Sequence, residues 1–143
     1  PRPYDPNYED CAAFITAMPI NPESIVVGRS MGAGLMLRIM TERQDIVLSK
    51  LILVAPWLDP LKNYGKLFNF QIDPTILERV TNGVTVFYSS KDDDQALASL
   101  DIIKEALPDV KYRDIPEYGH YMIGNTMKNK EFPELFEELD LAT

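Results

Sequence analysis

The sequence has a single cysteine, Cys11, and a single histidine, His120. One thiol excludes an internal disulfide and any cysteine-built metal cluster. With only one imidazole beside it, a zinc site of nitrogen and sulfur ligands has too few donors, so no metal is expected. Positive charge is also short: 14 Lys and Arg stand against 22 Asp and Glu, a net charge of −8. An acidic surface repels phosphate backbones, which argues against a nucleic-acid partner. No apolar run is long enough to cross a bilayer, and no basic stretch followed by an apolar one opens the chain. Neither a membrane span nor a signal peptide is therefore expected, and the lone thiol fits a cytoplasmic setting. The chain starts at Pro1 rather than methionine, as a fragment or a processed form does.

What is present is enough for one domain over residues 1–143, with 45% hydrophobic residues to build a core. There are no repeats and no low-complexity segments. Ser24 to Gly28, Lys50 to Ala55, Val84 to Ser90 and Lys111 to Ile115 read as strands. The first three are nearly continuous apolar runs, the pattern of parallel strands covered on both faces. Helical patterns fill the gaps: Asn7 to Met18, Met31 to Thr41, Asp94 to Leu107 and Phe132 to Leu139. In the first of these, Tyr8, Cys11, Ala12, Ile15 and Met18 share an apolar face, with Cys11 read as a buried, inert thiol. The methionines at 18, 31, 36, 40, 122 and 127 read mostly as core or site-wall residues. Strands alternating with helices predict an α/β fold with a mostly parallel sheet and right-handed crossovers. Pro56 to Asn82 breaks the alternation with Trp57, Tyr64, Phe68 and Phe70 among prolines. This stretch reads either as a short cap that walls a substrate site or as cover for the end of the sheet. The acidic tail from Glu131 to Asp140 reads as the solvated face of a terminal helix.

One segment carries chemistry. Gly28-Arg29-Ser30-Met31-Gly32 follows an apolar strand directly and opens a helix. This is the G-x-S-x-G pattern, which places a serine on a sharp strand-to-helix turn. Glycines two residues before and two after are expected to remove collisions with the neighbouring strand and helix. Ser30 Oγ would then project above the carboxyl edge of the sheet, where ligands bind in such folds. The Met31 N–H, at the helix N-terminus, would face a developing oxyanion. A phosphate-binding loop is the other use of such a turn, but the lysine it requires is missing. Arg29 could touch substrate, yet an arginine in solvent is the simpler expectation.

A serine hydroxyl needs a base within hydrogen-bond reach. His120, in Glu117-Tyr118-Gly119-His120-Tyr121, follows the last predicted strand and so lies on the same edge as Ser30. Tyr118 and Tyr121 flank it and fit either a pocket wall or ordinary packing. An acid should come from the end of a strand between them. Ser89-Ser90-Lys91-Asp92-Asp93-Asp94 offers three carboxylates, of which at least one should cap the next helix. Asp59 is an outside candidate. Spacing does not choose among them.

With VVGRSMGAG, SSKDDD and YGHY in place, the chain resembles the small single-domain serine hydrolases of the α/β-hydrolase superfamily. That group includes retinoblastoma-binding protein nine and its bacterial relatives. The resemblance runs from about Pro3 to Leu139. It implies a three-layer α/β-hydrolase sandwich and esterase-like activity without a cofactor. The substrate would be a small ester, thioester or amide, attacked by a Ser-His-Asp triad through an acyl-enzyme. In that family the second aspartate of a Ser-x-Asp-Asp turn is the triad acid, which points to Asp93, with Asp92 as alternate. The retinoblastoma-pocket motif is absent, so that partner is not implied. The family also has N-terminal strands, whose loop supplies the second oxyanion donor; the pattern here lacks them. An uncovered sheet edge would follow, open to a second copy of the chain. The missing strands motivate an alternative from another class: a catalytically silent α/β-hydrolase-like module for protein interaction. A wide gap between Ser30 and His120 would favour it.

Overall fold

The computed structural model describes residues 6–122 and 131–140. Four parallel strands, β1 (Ile25–Arg29), β2 (Lys50–Val54), β3 (Val84–Tyr88) and β4 (Lys111–Asp114), lie in sequential order. The registers pair Val27 with Ile52, Leu53 with Val86 and Val86 with Tyr112. Strands that step in one direction through right-handed crossovers must place every crossover on the same face. Helix α2 (Met31–Glu42), the aromatic stretch and α3 (Asp94–Ala106) follow this rule. Their apolar residues meet Leu51, Leu53, Val84 and Val86 in one core, which Leu37, Ile39, Met40, Ile76, Leu100 and Ile103 complete. Helix α1 (Tyr8–Thr16) lies against α2. Helix α4 (Pro133–Asp140) comes after the last strand and is free of the crossover constraint. It covers the opposite face, where Leu135 and Leu139 pack with Ile52, Val54 and Phe87.

Side chains on a strand alternate faces, so burial on both faces explains the unbroken apolar runs. All five residues of β2 are buried. The outer edge of β1 has no strand beside it among the described residues, and Val27 there is 44% exposed. At the other edge β4 carries charge: Lys111 and Arg113 point toward α4.

Three expectations need correcting. Met18 is 46% exposed rather than part of the apolar face, because α1 ends at Thr16 and the chain turns away. Met122 is likewise 44% exposed, Met36 and Met40 are core residues, and Met127 lies outside the described residues. The terminal helix is not simply solvated on its acidic side. Glu138 is fully buried and accepts hydrogen bonds from Lys50 Nζ (3.0 Å), Thr85 Oγ1 (2.9 Å) and Arg113 Nη1 (3.1 Å), with Lys111 Nζ also bound. Burial alone would raise the Glu138 carboxyl, but the bonds from Lys111, Lys50 and Thr85 outweigh it and bring the pKa down to about 2. A buried charge is tolerated only when paired and hydrogen-bonded in this way.

The aromatic stretch is mostly cover. Phe68 and Phe70 pack on the main core, Leu67 is buried, and Trp57 meets Tyr64 and Phe68 edge to face. Arg38 of α2 holds it by donating to the carbonyls of Lys66 and Leu67. Between this stretch and α3 lies a crevice of about 390 Å³, lined by Leu58, Phe68, Phe70, Ile72 and Ile102, without Ser30 or His120.

Candidate active site

The bend at Ser30 is built from backbone outward. Ser30 has φ 51° and ψ −119°, a region that a residue with a side chain rarely occupies. Such a conformation costs about 1–3 kcal/mol and persists only where the surroundings over-determine it. Here the Ser30 N–H extends the sheet ladder to Val54 O (2.9 Å). The Ser30 carbonyl accepts from Ala33 N (3.1 Å) inside the helix and from Trp57 N (3.1 Å) beyond β2. The serine is thus pinned from two elements before its hydroxyl does anything.

The glycines play different parts from those the pattern suggested. A Cβ on Gly28 would stand 2.8 Å from Ala33 Cα, so that glycine is required for the strand and helix to approach. A Cβ on Gly32 would meet nothing within 4 Å. The second close approach is at Gly34, whose Cβ would lie 2.3 Å from Trp57 O and 2.6 Å from a Phe68 ring carbon. The collision predicted at Gly32 is therefore displaced by two residues, because the helix turns Gly32 away from the sheet and Gly34 toward the 57–68 loop.

Met31 is the first helical residue. Its N–H consequently has no partner within the helix and stands at the positive end of the dipole.

His120 sits after β4, past a short 3₁₀ turn (Pro116–Tyr118) and Gly119, whose φ of 50° and ψ of −126° nearly repeat the Ser30 conformation. Its Nε2 is 3.0 Å from Ser30 Oγ. Its Nδ1 is 3.0 Å from both carboxylate oxygens of Asp92. An ionised carboxylate only accepts, so Nδ1 carries the proton and Nε2 offers a lone pair to the Ser30 hydroxyl. The Asp92 side chain is 4% exposed and that of His120 24%. The hydroxyl end of this line therefore opens to solvent and the carboxylate end does not.

The acid implied by the family resemblance, Asp93, is bonded to the start of α3 rather than to the imidazole. Asp93 is the N-cap of α3, with φ −68° and ψ 161°, and its Oδ1 accepts from Gln95 N and Ala96 N, both at 2.9 Å. It stands within 4.8 Å of the ring but is engaged with the helix start. Asp92, one residue earlier, closes a turn back to Ser89 O and reaches His120 Nδ1. Asp94 is the first residue of α3. Asp59 is buried and accepts from Asn63 N and Tyr64 N, which makes it a loop cap.

The turn that carries Asp92 is fastened by groups that sequence reading passed over. Buried Ser89 accepts from Lys91 N and donates to Pro116 O in the loop that carries His120. Asp114, ending β4, accepts from Ser90 N (2.8 Å). Tyr121 OH donates to Tyr88 O (2.8 Å), and burial first, then nearby carboxylates, push its phenol well up, so it stays a protonated donor. Tyr118 stacks edge to face with Tyr121 and Phe132 and donates to Glu134 of α4 (3.0 Å). The tyrosines beside His120 are packing residues with one bonded oxygen each.

Arg29 is exposed, as expected. Its guanidinium is nevertheless bonded: Nε donates to Tyr121 O (3.2 Å) and Nη2 to His120 O (2.9 Å). The ligand-type atoms of Asp92, Asp93 and His120 lie within 4.8 Å of one another, close enough to be tested as a metal site. Those of Asp93 and His120 are engaged in the helix cap and the imidazole contacts.

No protein-family model and no curated protein matches the chain. Solved structures do. The ydeN gene product of B. subtilis superposes with a TM-score of 0.83 at 17% identity, covering 99% of this chain and 78% of that one. A predicted CIB-like hydrolase from Thermoplasma acidophilum gives a TM-score of 0.57 at 20% identity, over 94% of this chain and 58% of that one. MGS-MChE2, an alpha/beta hydrolase enzyme from a metagenome of lagoon sediments at Mar Chica, Morocco, gives 0.53 at 16%, over 93% and 69%. The fold is that of the α/β hydrolases. In this α/β-hydrolase fold, Ser30, Asp92 and His120 all stand at the carboxyl ends of parallel strands, the edge where open α/β sheets bind ligands. Among the described residues no helix is long and apolar enough to cross a membrane.

Proposed function

We propose that the protein is a serine hydrolase with esterase-like activity, related to the small single-domain serine hydrolases that its motifs resemble. The observation that carries this reading is the unbroken line from Ser30 Oγ through the His120 ring to Asp92, with 3.0 Å at each step. In this reading Ser30 Oγ attacks the carbonyl carbon of a small ester, thioester or amide. His120 Nε2 takes the hydroxyl proton as the C–O bond forms. The tetrahedral oxyanion is met by the Met31 N–H. Collapse breaks the bond to the leaving group, which receives the proton from His120, and the acyl-enzyme remains. Water then repeats the sequence and releases the acid. Asp92 holds the Nδ1–H tautomer and stabilises the imidazolium that forms at each transfer. The family supplies a second oxyanion donor from a loop after an early strand, and each donor is worth about 10²–10³ in rate.

The silent-module reading draws support from a wide separation of hydroxyl and imidazole, and the separation is 3.0 Å. The strained φ of 51° at Ser30 also favours catalysis, since strain of that kind collects at functional sites. A fluorophosphonate probe tests the proposal: the native chain should be labelled once, and Ser30→Ala should not be labelled. A native protein that is folded and stays unlabelled would refute it.

A further inference from the structure

We propose that Arg29 is a positioning residue, which locks the backbone of the base to the strand that carries the nucleophile. The proposal rests on the serine-hydrolase reading for its effect on rate, but not for its structural content. Arg29 ends β1, immediately before Ser30. Its guanidinium crosses to the loop after β4 and donates to two successive carbonyls, those of His120 (2.9 Å) and Tyr121 (3.2 Å).

Several features give this contact its geometry. Successive carbonyls in extended backbone point to opposite sides, so one planar group cannot ordinarily take both. Tyr121 has φ 54°, which turns the two oxygens toward one donor. The guanidinium is a rigid fork with donors at fixed spacing, suited to two acceptors at once, where a lysine ammonium is a single point of charge. Near His120 the other contacts hold the loop by its side chains: Asp92 takes the imidazole, Tyr88 the Tyr121 hydroxyl, and Glu134 the Tyr118 hydroxyl. Arg29 instead grips the main chain of His120 itself. Because Arg29 and Ser30 are bonded neighbours, the distance between hydroxyl and imidazole is set through one side chain rather than across the whole sheet.

Catalytic groups must be held within a fraction of an ångström, and a shift of about 1 Å costs about 10²-fold. Arg29→Met keeps the apolar stem and removes the fork. It should lower kcat for a p-nitrophenyl ester by about 10- to 100-fold with KM changed by less than about threefold. Fluorophosphonate labelling should slow in the same proportion. Arg29→Lys should recover only part of the loss, and guanidinium ion added to Arg29→Ala should restore rate. A residue that served stability alone would show no rescue by guanidinium and no split between kcat and KM.

The single histidine gives a readout independent of turnover, because one ring yields one set of imidazole NMR signals. In Arg29→Met those signals should shift or broaden. Native labelling with unchanged rate and unchanged ring signals in Arg29→Met overturns the proposal. Altered ring signals in a chain whose native form resists the probe would sustain the positioning role while removing the hydrolase reading. If neither the ring nor the rate responds, Arg29 is not a positioning residue.

Discussion

Exchanging the two neighbouring aspartates separates chemistry from stability. In Asp92→Asn the amide can donate to Nδ1, which moves the ring proton to Nε2. The ring then meets the Ser30 hydroxyl with an N–H instead of a lone pair, although the 3.0 Å spacing can survive. A wrong tautomer with intact geometry costs about 10⁴-fold in kcat in a Ser-His-Asp triad. Asp93→Ala leaves the imidazole untouched and frees the N–H groups of Gln95 and Ala96 at the start of α3. A lost N-cap costs about 1 kcal/mol. For a chain of this size that is about 3 °C in Tm. Both variants would be followed by ester hydrolysis below the melting range and by thermal unfolding. The expected pattern is crossed: Asp92→Asn inactive with a small change in Tm, Asp93→Ala active with a lowered Tm. Loss of activity in the Asp93 variant with activity kept in Asp92→Asn would refute the assignment and restore the acid that the family turn implied.

The elbow glycines should also part company: Gly34→Ala drives a methyl against Trp57 O and should cost about 1–3 kcal/mol in urea unfolding, the usual range for overpacking. Gly32→Ala meets no neighbour and sits inside a helix, so it should raise stability by about 0.5–1 kcal/mol. Glu138 predicts a pH dependence with a definite sign. Its folded pKa lies below its ordinary value, so its share of stability is complete above about pH 4.5 and is lost as pH falls toward 2. Melting curves between pH 6 and 3 should show that loss, and Glu138→Gln should flatten it. At neutral pH Glu138→Gln leaves the buried Lys50 without its counter-charge and should destabilise by about 3–5 kcal/mol.

The regular part of the fold was legible because it rests on local pattern. Three apolar runs, the more polar fourth strand and the helices between them emerge within a few residues of their predicted ends, since parallel strands covered on both faces have no polar side to confuse the period. Ser30 and His120 were legible for a different reason: an elbow needs its glycine at Gly28, and a chain with one histidine offers one imidazole. The choice between Asp92 and Asp93 was not. It turns on which carboxylate closes a four-residue turn and which begins a helix, a difference of one position that both residue types satisfy equally. Glu138 was misplaced, and the bonds of exposed Arg29 were missed, because a charge read alone is assigned to solvent. Their partners lie 91 and 88 residues away, and nothing local announces them. The close neighbour of Gly34 is the 57–68 loop, whose position no spacing rule supplies.

Helix α4 touches both ends of the sheet. Glu134 receives the Tyr118 hydroxyl near the base, and one helical turn later Glu138 takes Lys50 at the start of β2 and Lys111 at the start of β4. A brace of this kind makes the imidazole answer to a carboxylate on the far side of the molecule. Glu138 keeps its charge until about pH 2, so only strong acid slackens the brace at its remote end. Any fading of turnover in mildly acidic solution should therefore owe nothing to this brace.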